Sequence, residues 1–345
     1  MNQCQQHQKK YPMLQSATDT EMTREMIGIL RESMEKSHAA GDTRRGAHAK
    51  SHGLLKAQFV VHEGIPSELK VGIFREPKSY AALIRLSNSS ASIKSDKQKD
   101  FRGFAIKLLG VQGDRVNQDE KQSQDFVLMS SPTMPLGTVK LFRDAIYYAV
   151  KWHPLVMLLK FMLSGHGSAL AALRAGRKFD TSLLDIQYWS TTPYAFGERA
   201  VKYSVVPTSE FKSQLPNPLT DDYLTRNTSN HLRNQTASFD FFVQYFANEA
   251  TTPIEDAAVE WTAANSPFIK LATIQIPIQS TNNPARHDLV ETMSFSPAHS
   301  LVDHSPLGGL NLSRTEIYKA LSKFRHERNG KIAMEPTSEL FNSLA

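Results

Sequence analysis

The chain has 345 residues, 40 of them basic and 34 acidic, for a formal net charge of +6, and it carries one cysteine. Its 18 Phe, 10 Tyr and 3 Trp supply enough apolar surface to offset the entropy of ordering the chain, which excludes a highly charged disordered polymer. A lone Cys4 excludes an intrachain disulfide and a thiolate-ligated metal cluster, and it points to a reducing compartment.

The length suggests roughly two domains at about 150 residues each, although closed barrels run past about 200 residues as one unit. The basic residues are scattered, with no stripe interleaved with aromatics, so nucleic acid is not an expected partner. Residues 1–19 are polar and Gln-rich, lack the apolar core of a signal peptide, and read as a flexible leader of a cytoplasmic protein. Met22, Met26, Ile29, Leu30 and Met34 then recur at helical spacing, which predicts an amphipathic helix over 20–40. From Leu54 to Lys107 the β-type runs QFVVH, ALIRLS and FAIKLLGV alternate with turns, and QDFVLM follows the charged 110–124 stretch.

Between Val139 and Leu163 the pattern changes to AIYYAVKWHPLVMLLKFML, interrupted by Lys151, His153, Pro154 and Lys160. Proline and charge make this a poor spanning helix, leaving buried paired helices or peripheral membrane contact through 139–165 as the two readings. Further strands, AVKYSVVP, ASFDFFVQYFA and FIKLATIQIPI, are separated by polar loops such as 212–236, and a basic helix precedes a tail over 331–345. With no fixed-period repeat, the pattern predicts an α+β protein in which 41–330 forms one antiparallel β-barrel with helices packed outside.

Several residues carry chemistry. On the helix SRTEIYKALSKFRHE, about 100° per residue puts Tyr318 about 40° and Arg325 about 20° from Arg314, so two guanidiniums flank a phenol on one face. A nearby cation favours the phenolate, which could ligate a metal; an amphipathic helix with a packed Tyr and solvated Arg residues is the alternative. His48 and His52 precede the strand LLKAQFVV; a histidine there suits general acid/base work or a capped loop, whereas Gly53 and the β-branched run argue against a helical zinc pair. Arg85 and Arg102 interrupt apolar strands, and burying them requires carboxylates from a dianionic ligand or from Asp96 and Asp100.

Taken in order over roughly residues 40–330, these features resemble the heme catalase superfamily, in particular its short catalase-like branch. RGAHAK, from Arg45 through His48 to Lys50, is similar to the motif that carries the distal acid/base histidine and a propionate arginine. IRLSN resembles the strand that bears a second propionate arginine, here Arg85, and the serine supporting the distal histidine, here Ser87. DFRGFA, from Asp100 to Ala105, WSTTPYAFG at 189–197 and SFDFFVQYF at 238–246 resemble intervening segments. RTEIY, followed by Arg325, looks like the proximal signature. The resemblance implies a heme buried between barrel and proximal helix, with Tyr318 as iron ligand, Arg314 beside it and Arg325 on a propionate.

Two departures stand out. Where the family pattern has a distal asparagine, three residues before a proline, this chain has Met129 before Pro132, and a thioether cannot orient a peroxide by donating a hydrogen bond; Ser130 beside it offers a weaker one. The spacing from His48 to Phe59 is one residue longer than the pattern, which leaves His52 as an alternative distal residue. The implied activity is peroxide breakdown, as dismutation or as peroxidase turnover. Rearrangement or reduction of organic hydroperoxides, as in allene oxide synthase-like relatives, and non-catalytic heme binding are the alternatives. A homo-oligomer is a further expectation.

Overall fold

Runs of β-forming residues, several of them alternating apolar and polar, draw nine described segments between Ser51 and Ile276 into strands. A computed structural model gives the architecture and describes residues 15–117, 122–281 and 283–344; Cys4 and most of the expected leader lie outside them. The strands are β1 Ser51–Val61, β2 Ser79–Asn88, β3 Arg102–Leu109, β4 Ser123–Met129, β5 Tyr188–Trp189, β6 Tyr194–Phe196, β7 Arg199–Pro207, β8 Ala237–Tyr245 and β9 Ile269–Ile276. They pair antiparallel in the order β5-β4-β3-β2-β1-β9-β8-β7-β6. Tyr188 of β5 also pairs with Val205 of β7, which closes eight strands into a barrel and leaves β6 as an extension on β7.

A barrel of eight strands is just wide enough for side chains to fill. The interior is accordingly aromatic: Phe126 lies 4.9 Å from Tyr203, 4.9 Å from Phe241 and 6.2 Å from Phe59, ring centre to ring centre. Leu55, Ile84, Leu86, Phe104, Ile106 and Leu128 fill the space between the rings. The α+β expectation and the single antiparallel barrel are what the fold shows.

The helices lie outside this barrel: α1 Ala17–Ser37, α2 Val139–Ile146, α3 Pro154–Leu163, α4 Gly167–Gly176, α5 Tyr223–Asn234, α6 Pro284–Thr292, α7 Gly309–Arg328 and α8 Ser338–Ser343. The first starts earlier than its apolar spacing suggests, because the Ser16 hydroxyl accepts from the Asp19 amide at 3.0 Å and caps it. Residues 17–19, expected in the leader, are therefore helical. The polar stretch 212–236, expected as a loop, contains α5, whose buried face mixes Leu224 and Leu232 with Asn227, Thr228 and His231. Polar residues on the inner face hid its hydrophobic period. In the expected tail, α8 buries Phe341 beside Leu54, Leu83 and Leu289.

The 139–163 stretch forms α2, a π-helical turn at Tyr147–Trp152, and α3. Pro154 sits at the first position of α3, where its missing N–H costs nothing, and the His153 side chain accepts from the Leu155 amide at 3.2 Å. The helices pack on each other through Ala145 and Phe161, with Phe142 and Met157 beside them, but the expected burial of α3 does not hold. Only Phe161 of α3 is buried, and most of its leucines face outward.

Candidate active site between the barrel wall and the last long helix

Because strand side chains alternate, the residues that skip the barrel interior face outward in rows. Arg85 lies opposite Ala105 and Ala105 opposite Val127; one step along, Ser87 lies opposite Gly103 and Gly103 opposite Met129. These outer rows and α7 enclose a cavity of about 440 Å³, to which α7 contributes Arg314, Tyr318, Leu321 and Arg325. His48, Arg45, Arg85, Ser87 and Met129 line the same cavity. The eight site residues expected from the sequence thus converge, although they span some 280 positions of the chain.

His48 is held from several directions. Its backbone lies in the left-handed region at φ 57°, its amide donates to the Ser89 carbonyl at 3.0 Å, and its carbonyl accepts from Arg85 Nη2 at 2.6 Å. The ring Nδ1 lies 2.9 Å from Ser87 Oγ, leaving Nε2 as the other ring nitrogen. Gly103 permits this approach: a Cβ there would sit 2.5 Å from Ser87 Oγ and 2.6 Å from His48 Nδ1. Burial, then the charge of Arg85, pushes the His48 imidazole down to about 4, so it is neutral near neutral pH.

His52 takes no part in this cavity. Its Nδ1 lies 2.8 Å from Thr225 Oγ1 and its Nε2 lies 2.8 Å from Asn88 Oδ1. The β1–β2 register shifts between Ser51 and Gly53, so the one-residue excess before Phe59 is absorbed as a bulge at His52. Arg102 is likewise structural, but its carboxylate is Asp180 at 2.9 Å, rather than Asp96 or Asp100. Asp180 is 78 positions away in the chain, so local sequence carried no sign of the pair. Ser130 faces away from a ligand role, since its hydroxyl accepts from the Arg102 amide at 2.8 Å.

At one edge of the cavity Arg45 and Arg325 pair with Glu291, a residue the sequence reading missed, and the charge of Arg85 also acts on it. Glu291 lies 3.3 Å from Arg45 and 3.6 Å from Arg325. Burial pushes its carboxyl up, but Arg45, Arg325 and Arg85 outweigh burial and hold it below the ordinary value. Burial, then the charge of Arg45, draws the Arg325 guanidinium down to about 9. Arg85 Nε is buried without a hydrogen-bond partner among the described residues. Three cations against one carboxylate leave two positive charges in excess, the number that a dicarboxylate ligand would neutralise.

On the helix side, Arg314 donates to Asn311 Oδ1 at 3.2 Å and to Thr192 Oγ1, and its guanidinium carbon lies 5.8 Å from the centre of the Tyr318 ring. Asn311 and Thr192 were not singled out from the sequence. No motif marks them; their role follows from the way β5 and β6 bring residues 190–193 against the start of α7. The chemistry of this donor set is compatible with a heme, which Tyr318 could hold at the iron and Arg45, Arg85 and Arg325 at the propionates.

The fold has solved counterparts. A fungal catalase superposes with a TM-score of 0.65 at 17% identity over 82% of this chain and 59% of its own. A bacterial catalase gives 0.64 at 17% over 85% and 60%, and catalase A from Saccharomyces cerevisiae gives 0.65 at 15% over 85% and 65%. This chain therefore spans about three-fifths of the length of these enzymes, and its fold is catalase-like. No family model matches the sequence, and no curated protein matches it.

Proposed function

We propose that the protein is a heme-dependent oxidoreductase that breaks down peroxides. The observation that carries this reading is the sharing of one cavity by His48 braced on Ser87, Tyr318 beside Arg314, and three arginines with two charges in excess. A bound heme supplies the iron centre that takes up the oxidising equivalents of the peroxide. Tyr318 serves as its protein ligand, and Arg314 favours the phenolate. Neutral His48, with Nδ1 engaged by Ser87, uses Nε2 to accept a proton from one peroxide oxygen and return it to the other, where water leaves.

A second reading is favoured by Met129 and the apolar side chains of Phe142, Ile146 and Leu173, which line the cavity where a small polar peroxide would want donors. These walls suit an organic hydroperoxide, reduced or rearranged at the same centre. The test is stopped-flow spectroscopy of heme-reconstituted protein mixed separately with hydrogen peroxide and cumene hydroperoxide. Expected are stoichiometric heme, turnover of at least one peroxide, and a loss of about a hundredfold or more in that step for His48→Ala with heme retained. Unchanged kinetics in His48→Ala would sink the proton-transfer role. Turnover of the organic peroxide alone selects the second reading, and heme without turnover leaves a heme-binding protein.

A further inference from the structure

The region from the end of α2 to the end of α4 breaks the usual rule that large apolar side chains are covered. Trp152 is 65% exposed, Leu155 61%, Leu159 59%, Met162 62% and Leu163 86%. All five lie within twelve residues, on the π-helical turn and α3, so they form one patch rather than scattered surface hydrophobics.

Charge accompanies the patch. From Ala145 to Phe179 the sequence contains no Asp or Glu, whereas Lys151, Lys160, Arg174, Arg177 and Lys178 are all exposed. Of these, Lys151 pairs with Glu32 of α1 and Lys160 stands over the ring of Tyr148 at 5.9 Å. Elsewhere the chain mixes signs, with 34 acidic residues in 345. A 35-residue stretch free of them, carrying the most exposed leucine and tryptophan of the molecule's helices, selects an occupant that is apolar within and anionic at its face.

We propose that this segment docks the protein on an anionic lipid surface. Ten residues of α3 are only about 15 Å long, half of a hydrocarbon core, and no described helix is long and apolar enough to cross a membrane. The segment therefore lies in the interface: Leu155, Leu159, Met162 and Leu163 enter the acyl boundary, Trp152 takes the headgroup level, and Arg174, Arg177 and Lys178 reach lipid phosphates. The flanking helices also wall the candidate site, through Phe142 and Ile146 on one side and Leu173 and Arg177 on the other. Docking would bring that wall to the lipid. The proposal stands without the peroxide reading, since it uses none of the site's reactive groups.

The test is flotation of the full chain with vesicles of phosphatidylcholine alone and of phosphatidylcholine mixed with phosphatidylserine, at low and high salt. Expected is flotation with the mixed vesicles that weakens with salt and falls at least about tenfold in the double variant Leu159→Glu/Leu163→Glu, with heme binding and the unfolding midpoint unchanged. Absence of flotation with mixed vesicles overturns the proposal. So does equal flotation of the double variant, or a wild-type dimer that the double variant converts to monomer without any lipid binding, which would make a second copy the occupant.

Discussion

The inner and outer faces of β2, β3 and β4 are written by alternate residues of the same sequence, yet they follow different physics. Inside, Ile84, Leu86, Phe104, Ile106, Phe126 and Leu128 gain stability from burial and packing alone, and their neighbours are equally apolar. Outside, Arg85, Ser87, Gly103 and Met129 border a cavity in which Ser87 is held to the His48 ring and Arg85 to the His48 carbonyl. The inner face tolerates exchange of like for like; the outer face is specified atom by atom. A one-residue slip of any of these strands would swap the two.

The largest loss of stability is expected on the inner face. Phe126→Ala opens a void among Phe59, Tyr203 and Phe241 and is expected to cost about 3–5 kcal/mol in urea unfolding. A cost below about 1 kcal/mol would mean that the interior is loosely filled. On the outer face, Gly103→Ala should cost less, about 1–3 kcal/mol, because the strand must shift to free the new Cβ from Ser87 and His48. Its effect on peroxide turnover should nonetheless exceed that of Phe126→Ala per folded molecule, which steady-state kinetics normalised to bound heme would read.

Acid sharpens the same contrast. Burial chiefly lowers His48, His52 and His326 to about 4 and His304 to about 3, against an ordinary 6.5. The fold favours their neutral forms, so the unfolded chain holds more protons and stability falls as pH drops from about 6.5 towards 4. Urea midpoints across that window should decline steadily, and a flat profile would contradict the burial of these rings. The acid limb of peroxide turnover should follow His48 towards 4 rather than lie near 6.5. The smallest expected effect belongs to Glu291→Gln. The neutral amide still accepts from Arg45 or Arg325, so the heme-free protein should lose about 0.5–1.5 kcal/mol, and heme should restore only part of it, since two propionates against three guanidiniums leave one charge in excess. Melting curves with and without heme test that pattern.

Much of this was legible in the chain itself. The β-type runs, the helical spacing that puts Arg314, Tyr318 and Arg325 on one face, and the segment RGAHAK locate the barrel and the main site residues because their information is local. What stayed hidden is non-local. Asp180 for Arg102 and Glu291 for Arg45 are pairings across the fold, and α5 buries polar residues that suppress its period. The longer approach to Phe59 was visible, but only strand register turns the extra residue into a bulge at His52 rather than a second acid/base candidate.

The bond from Arg85 to the His48 carbonyl links two tasks that might have been separate. The guanidinium proposed to meet a ligand's acid group also steadies a left-handed peptide that, in a non-glycine residue, is costly by roughly 1–2 kcal/mol. An anion at the arginine edge therefore acts as a brace on the histidine's main chain, and removing it should loosen that turn before anything else in the barrel. Amide exchange at His48 would register that loosening as an occupancy gauge for the opposite end of the cavity.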